Sequence, residues 1–336
     1  MTVLRAVVWN ELEKLVRRRW LLIVLVSVAV VGLGLALELA APQPADWKSQ
    51  TRDQIAQLRA AKDELQNSPG GVPAGFQASL GAAIDQQLAA EQYLVDHDIP
   101  PSDWYPAGRA IGTILKTGFG FLLLLFGWLA AESVAQERAD RTLGLLLSRP
   151  VSRRTVLFGK AIALQLVATA VLLAAMLPVY VITGLQHGGW AALTTRVMVL
   201  DDPVKGVLAG NIELLPTWFY MLVALVLSLA AVLVAQALGL LVSILARGPG
   251  LAIGATLCAL LVLQPLAAVM RLALKDPAWL HYTFWPYLSP TTELTSQPTI
   301  GLGYSSAGLS LAVLVVWAAA FLVVGLTLFA RRSETS

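Results

Sequence analysis

Charged residues fall in clusters along this chain, and the gaps between the clusters carry the structural signal. No charge occurs from Leu21 to Leu37, Phe119 to Ala131, Ala161 to Thr183, Leu214 to Ala246, Gly248 to Met270 or Leu294 to Ala330. A helix needs roughly 20 mostly apolar residues to cross a hydrocarbon core about 30 Å thick. The gaps therefore predict an all-α integral membrane protein with six transmembrane helices, over residues 20–40, 108–132, 155–184, 216–246, 250–271 and 308–330. The 119–131 gap is short, so the second span draws on preceding residues, Lys116 among them. The last gap is too long for one helix, and Pro298, Gly301 and Gly303 place its membrane part later.

The polar stretches between the spans have patterns of their own. In residues 1–19, Val3, Val7, Val8, Leu12, Leu15 and Val16 share one helical side, with Asn10, Glu11, Lys14, Arg17 and Arg18 largely on the other. That pattern fits a helix lying in the membrane interface; a plain basic flank that sets topology is the alternative. A cleavable signal peptide fits less well, because the apolar run that follows exceeds the usual h-region. Residues 41–107 predict a helical hairpin, with Ile55, Leu58 and Leu65 facing Leu80, Ile84 and Leu88 across the turn NSPGGVPAG. It reads equally as a spacer or as a device that gates a path, touches cargo or packs on its twin. The 185–215 connection is mixed. Residues 272–307 hold WLHYTFWPYLSPTTEL, whose aromatics suit short helices at a membrane interface. A short tail, 331–336, closes the chain.

Composition agrees with the pattern: 57% of the residues are hydrophobic and 13% charged, where soluble domains have about 25% charged. Lysine and arginine favour the cytoplasmic side. With both termini inside, that side holds fourteen Lys and Arg against six acids, net +8, and the other side ten against fifteen, net −5. The basic pI thus reflects sidedness and an anionic inner leaflet, not nucleic-acid binding. The one cysteine, Cys258, falls inside the fifth span and reads as a small core residue.

The loop over 133–154 carries the most chemistry. Leu143, Leu146 and Leu147 at i, i+3, i+4 form an apolar stripe on a short helix. Pro150 ends that helix near Ser148, and Ser152 is placed to cap the next one. Burying each leucine gains roughly 1.5–3 kcal/mol, so the stripe belongs either in lipid or in a partner's groove. Arg138 and Arg141, interleaved with Glu137 and Asp140, give it a rim of mixed sign, which suits a protein partner better than an anionic bilayer.

The same stretch, ERADRTLGLLLSRPVSRRTVLFGK, resembles the first inside loop of ABC-2-type permeases, the membrane subunits of ATP-binding-cassette exporters. Glu137, Thr142, Leu143, Leu146, Leu147, Ser148, Pro150, Val151, Ser152, Arg153, Gly159 and Lys160 carry the resemblance. NELEKLVRRRWLL is similar to the family's lead helix, SILARGPGLAIG to its turn between the fourth and fifth spans, and YLSPTTEL to its segment before the sixth. The resemblance implies a bacterial plasma-membrane permease whose loop docks into a separate ATPase subunit, with Arg138 and Arg141 joining the motif residues as coupling candidates. It implies two permease chains, identical or paralogous, with ATP and Mg held by the partner ATPase and no cofactor on this chain.

Other chemistries are poorly supported by the residues. Gly159-Lys160 is followed by Ala161 and lacks a glycine five positions earlier, so it is not a P-loop. His97, His187 and His281 have no common spacing, and Glu38 and Glu132 lie near opposite membrane faces, which leaves no metal site and no paired intramembrane acids. An intramembrane enzyme is thus the weakest reading; a scaffold or sensor built around the hairpin is the main rival to transport. Lys116, Gln165, Gln236 and Gln264 are the polar side chains within spans that could line a pathway, although glutamines there also bridge helices. Pro178 and Pro265 are candidates for helix bends.

Overall fold

The computed structural model describes residues 2–40, 46–67, 74–99, 118–142, 152–187, 196–200, 212–274, 278–288 and 307–331. Long helices dominate: α1 (Thr2–Ala40), α2 (Trp47–Asn67), α3 (Ala74–Asp96), α4 (Phe119–Ala139), α5 (Arg153–His187), α6 (Thr217–Leu245), α7 (Pro249–Leu274) and α8 (Ala307–Arg331). Four of these, among the described residues, have a segment long and apolar enough to cross a membrane: Phe119–Ala139, Arg153–Leu177, Met221–Leu245 and Gly308–Arg331. In α7 the apolar stretch Pro249–Leu263 is shorter. The backbone of α1 makes no break between the lead segment and the first apolar run, so one helix covers what the sequence divides at residues 19 and 20. The helices α5 and α7 continue through Pro178 and Pro265.

The all-helical expectation needs one correction. Part of the 185–215 connection forms β1 (Arg196–Leu200), which pairs antiparallel with β2 (Ile212–Pro216), Arg196 opposite Pro216 and Leu200 opposite Ile212. Val197, Val199, Ile212 and Leu214 supply the β-branched and apolar residues such a ribbon favours. Lys116, Leu143, Leu146, Leu147, Ser148, Pro150 and Val151, expected above to line a path or to dock a partner, and the tail beyond Arg331 lie outside the described residues.

The core is a bundle around α6, whose nearest neighbours are α4 and α8. A Cβ on Gly239 would fall 2.7 Å from the Gly127 carbonyl oxygen and 3.0 Å from Ala130 Cβ, so α4 and α6 touch backbone to backbone. Small residues permit such approach where a bilayer supplies no hydrophobic drive between helices. Ser243 Oγ accepts the Val134 and Ala135 amides at 3.2 and 2.9 Å across the same seam. Outward faces remain apolar: Leu251 is 64% and Val316 65% exposed, as lipid-facing positions should be.

Residues 278–288 of the aromatic segment fold back onto the bundle. Two short 3-10 turns, Ala278–Tyr282 and Pro286–Leu288, bury Leu280, Phe284 and Tyr287. Phe284 meets Phe321 edge-on at 5.4 Å, and the Trp317 indole donates to the Tyr282 carbonyl at 2.8 Å. Of the segment's aromatics, Phe284 and Tyr287 are buried, whereas Trp279 and Tyr282 stay exposed. In the hairpin, Ile55 and Ile84 are buried between α2 and α3, and Lys62 pairs with Asp85.

Candidate functional site

The residues that bracket the 143–151 loop do more than lead into it. Glu137, at the end of α4, points inward and accepts Lys160 Nζ at 2.8 Å and Lys14 Nζ at 2.9 Å, both on Oε1. Lys160, seven residues into α5, also bonds Glu11 Oε2 at 2.8 Å, and Lys14 bonds Glu11 Oε1 at 2.9 Å. Two carboxylates and two ammoniums from α1, α4 and α5 thus form a closed ring, with Lys160 only 3% and Glu11 6% exposed. Gly159 makes the ring possible: a methyl there would come within 2.5 Å of Val7 Cγ1, so α1 lies directly on α5. Spacing within α1 does the rest, because Glu11 and Lys14 are three apart and share a face.

Burial opposes a charge on Glu11, yet the attraction of Lys160 and Lys14, with the hydrogen bonds both donate, outweighs it and holds the carboxyl below its ordinary value of 4.5. At Lys14 burial again opposes the charge, but the hydrogen bond to Glu137 and the nearby carboxylates raise the ammonium above 10.5. Both residues are therefore charged at neutral pH.

Arg138 also turns inward. Its guanidinium donates to the Ala246 carbonyl at 3.0 Å and to the Ile244 carbonyl at 3.4 Å, which satisfies acceptors left open where α6 ends. Beyond it Arg141 is exposed, with φ of +56°, and Thr142 donates to the Glu137 carbonyl at 3.3 Å, so the chain turns sharply out of α4. On the far side of the loop Ser152 caps α5: its Oγ accepts the Thr155 amide at 3.1 Å and lies 2.7 Å from Thr155 Oγ1. Arg153 reaches the Phe329 carbonyl near the end of α8 at 3.5 Å. The loop ends are thereby fastened to α1, α6 and α8 besides their own helices.

The pathway candidates are placed differently from one another. Gln165 Nε2 donates to the Leu229 carbonyl at 3.2 Å and so bridges α5 to α6. Gln236 is 1% exposed, enclosed in the bundle, with no hydrogen-bond partner among the described residues for either amide atom. The Gln264 side chain lies outside the described residues.

The sequence singled out Glu137 and Arg138 as contacts for a partner, and it passed over Lys160, Lys14 and Glu11 as a group. One signal was present. Lys160 sits inside a predicted span, flanked by Leu157, Phe158, Ala161 and Ile162, and an ionisable residue there demands an opposite charge. Which acids answer it depends on how α1 crosses α5, which spacing does not reveal.

Long apolar helices packed through small residues, with lipid-like outer faces and polar chemistry gathered at one end, define a polytopic helical membrane protein. A family model described as ABC-2 family transporter protein matches residues 5–333, and the chain belongs to that family of membrane transport permeases. It is also similar to an uncharacterized protein, YhcI, of Bacillus subtilis strain 168, with 28% identity over 171 residues. That match takes in 49% of this chain and 50% of the relative, so the chain spans about half the length of the curated relative it matches.

Proposed function

We propose that this chain is the permease subunit of an ATP-binding-cassette exporter in a bacterial plasma membrane. It crosses the membrane six times, through the second half of α1 and through α4, α5, α6, α7 and α8, with both termini cytoplasmic. Residues 137–153 form the coupling loop, and the Leu143, Leu146 and Leu147 stripe docks into a separate ATPase subunit that holds ATP and Mg. Two permease chains, identical or paralogous, enclose the pathway. Glu137, Arg138 and Arg153 serve the loop from behind, as anchors, while Arg141 and Thr142 are left to face the partner.

The observation that carries this reading is the fastening of the loop ends. On one flank Glu137 is ion-paired to α1 and α5 and Arg138 holds the end of α6; on the other Arg153 reaches the Phe329 carbonyl of α8. A loop that merely joined two spans would not need both flanks tied to other helices. One that receives a push from outside does, because the push must reach the helices that line a path. Substitution Leu146→Asp should leave the protein in the membrane at normal yield but abolish co-purification of the ATPase from mild detergent. Full retention of the ATPase by that variant would count against docking through the stripe.

A further inference from the structure

Trp317 lies far along α8, and the segment it holds there is not a spanning helix. Its position is roughly 14 Å along the axis from Gly308 and roughly 21 Å from Arg331, at about 1.5 Å of rise per residue. In a hydrocarbon core about 30 Å thick, that depth is near the middle. The Trp317 indole donates to the Tyr282 carbonyl at 2.8 Å. Phe284 meets the rings of Trp317 and of Phe321, one turn further in, at 5.4 Å each. The stretch from Ala278 to Leu288 therefore sits beside the centre of a span, although its two short 3-10 turns cannot cross a bilayer themselves.

The two sides of this stretch differ. Leu280, Phe284, Tyr287 and Leu288 are buried in the bundle, while Trp279 and Tyr282 are 47% and 68% exposed. Hydrocarbon suits that exposed side poorly. The ends of short 3-10 turns carry N–H and C=O groups that lipid cannot satisfy, and irregular backbone at membrane depth persists only where protein covers it or water reaches it. The Tyr282 hydroxyl makes the same demand. By contrast, Val315, Val316, Val323 and Val324 give α8 an apolar outer face of the kind lipid accepts. The stretch holds no Asp, Glu, Lys or Arg, so the side it exposes is aromatic and uncharged.

We infer that Trp279 and Tyr282 line a water-filled cavity that enters the bundle from the Gly308 end of α8 and reaches close to mid-membrane, giving the pathway an uncharged aromatic wall. The inference rests on the permease reading, in that α8 must span the membrane, and it does not involve the ATPase. The full-length chain carrying Cys258→Ser would be reconstituted in nanodiscs, with a nitroxide attached in turn to Tyr282→Cys, Trp279→Cys and Val316→Cys. Val316 is the control, since it neighbours Trp317 at the same depth and is 65% exposed on the outer face. Oxygen concentrates in hydrocarbon and a neutral nickel chelate stays in water, so collision of the nitroxide with each reads its surroundings. The chelate should collide at 282 and at 279 at least fivefold more often than at 316, where oxygen should dominate. Two exposed positions on the stretch keep the test open if one variant fails to fold. Oxygen dominating at 282 and 279 as well would put lipid against the stretch and overturn the inference while leaving the span intact. Neither reagent reaching 282 or 279 would show that protein, such as a second copy of the chain, covers them, and would overturn it too. Frequent chelate collision at 316 would place the Trp317 level outside the hydrocarbon, which overturns the inference and counts against the span itself.

Discussion

Lys160 shows how much one residue can commit a helix to. Its ammonium is 3% exposed and bonded to two carboxylates from two other helices, so its removal strands Glu11 and Glu137 with a single shared lysine. Breaking a buried ion pair from one side costs about 3–5 kcal/mol, whereas replacing the pair as a unit is often neutral. Lys160→Met should therefore lower the thermal midpoint sharply, and the double change Lys160→Met with Glu11→Gln should recover part of the loss; a double variant that is worse by the full sum of two singles would disprove the pairing. The same ring sets a pH response. Glu11 is depressed by folding, so its contribution is present above its unfolded value of 4.5 and is lost as pH falls through the lower folded value. Lys14 is raised, so its contribution is complete below its unfolded value of 10.5 and is lost as pH climbs through the higher folded value. The midpoint should stay level across neutral pH where these two groups are concerned and decline at acid pH below 4.5, and Glu11→Gln should remove part of that acid decline. An acid limb unchanged in the variant would show that the carboxylate is not held as described.

Between elements, the closest contact is the seam of α4 with α6, and it rests on an absence of side chain. Gly239→Ala would set a Cβ 2.7 Å from the Gly127 carbonyl, and helix backbone yields far less readily than a side-chain tip. Overpacking of this kind costs about 1–3 kcal/mol. The variant should unfold earlier than wild type, while Gly254→Ala on α7, with nothing within 4 Å, should change little; equal midpoints for the two would refute the tight seam. This contact also marks where the sequence stops being legible. Charge gaps set out the apolar segments that α4, α5, α6 and α8 occupy, because hydropathy registers the absence of charge residue by residue. They could not show that Gly239 meets Gly127, since register between helices leaves no periodic trace. The strands β1 and β2 were missed for a related reason: a five-residue apolar run such as RVMVL is too short to separate strand from helix by period. Ser152 as a cap was legible because capping is local, and the Glu11–Lys160 bond was not, because 149 residues separate its partners.

At the scale of the molecule, the question is how a displacement of residues 143–151 would spread. The ring couples α4 to α1 and α5, and Arg138 couples α4 to the end of α6 and hence to the turn that opens α7. These are different linkages, one ionic and enclosed, the other a charged donor on backbone carbonyls, and they can be cut separately. In Arg138→Ala the ring is untouched, so under the docking proposed above the ATPase should still co-purify. The end of α6 loses its side-chain donor, however, and motion of the loop has one fewer route to α7. Arg247, exposed in that turn, offers a reporter site once the single cysteine is removed by Cys258→Ser. If the proposed assembly of two permeases and two ATPases forms, a spin label at 247 should change its mutual distance when ATP and vanadate trap the ATPases, and Arg138→Ala should at least halve that change while leaving the complex intact. Lys160→Met should instead weaken the movement of α1, read from a label at exposed Trp9, more than the movement at 247. If both variants reduce both signals equally, the bundle moves as one body and the two fasteners are not separate transmission routes. If Arg138→Ala leaves the signal at 247 whole, force reaches α7 by some path other than the carbonyls of Ile244 and Ala246.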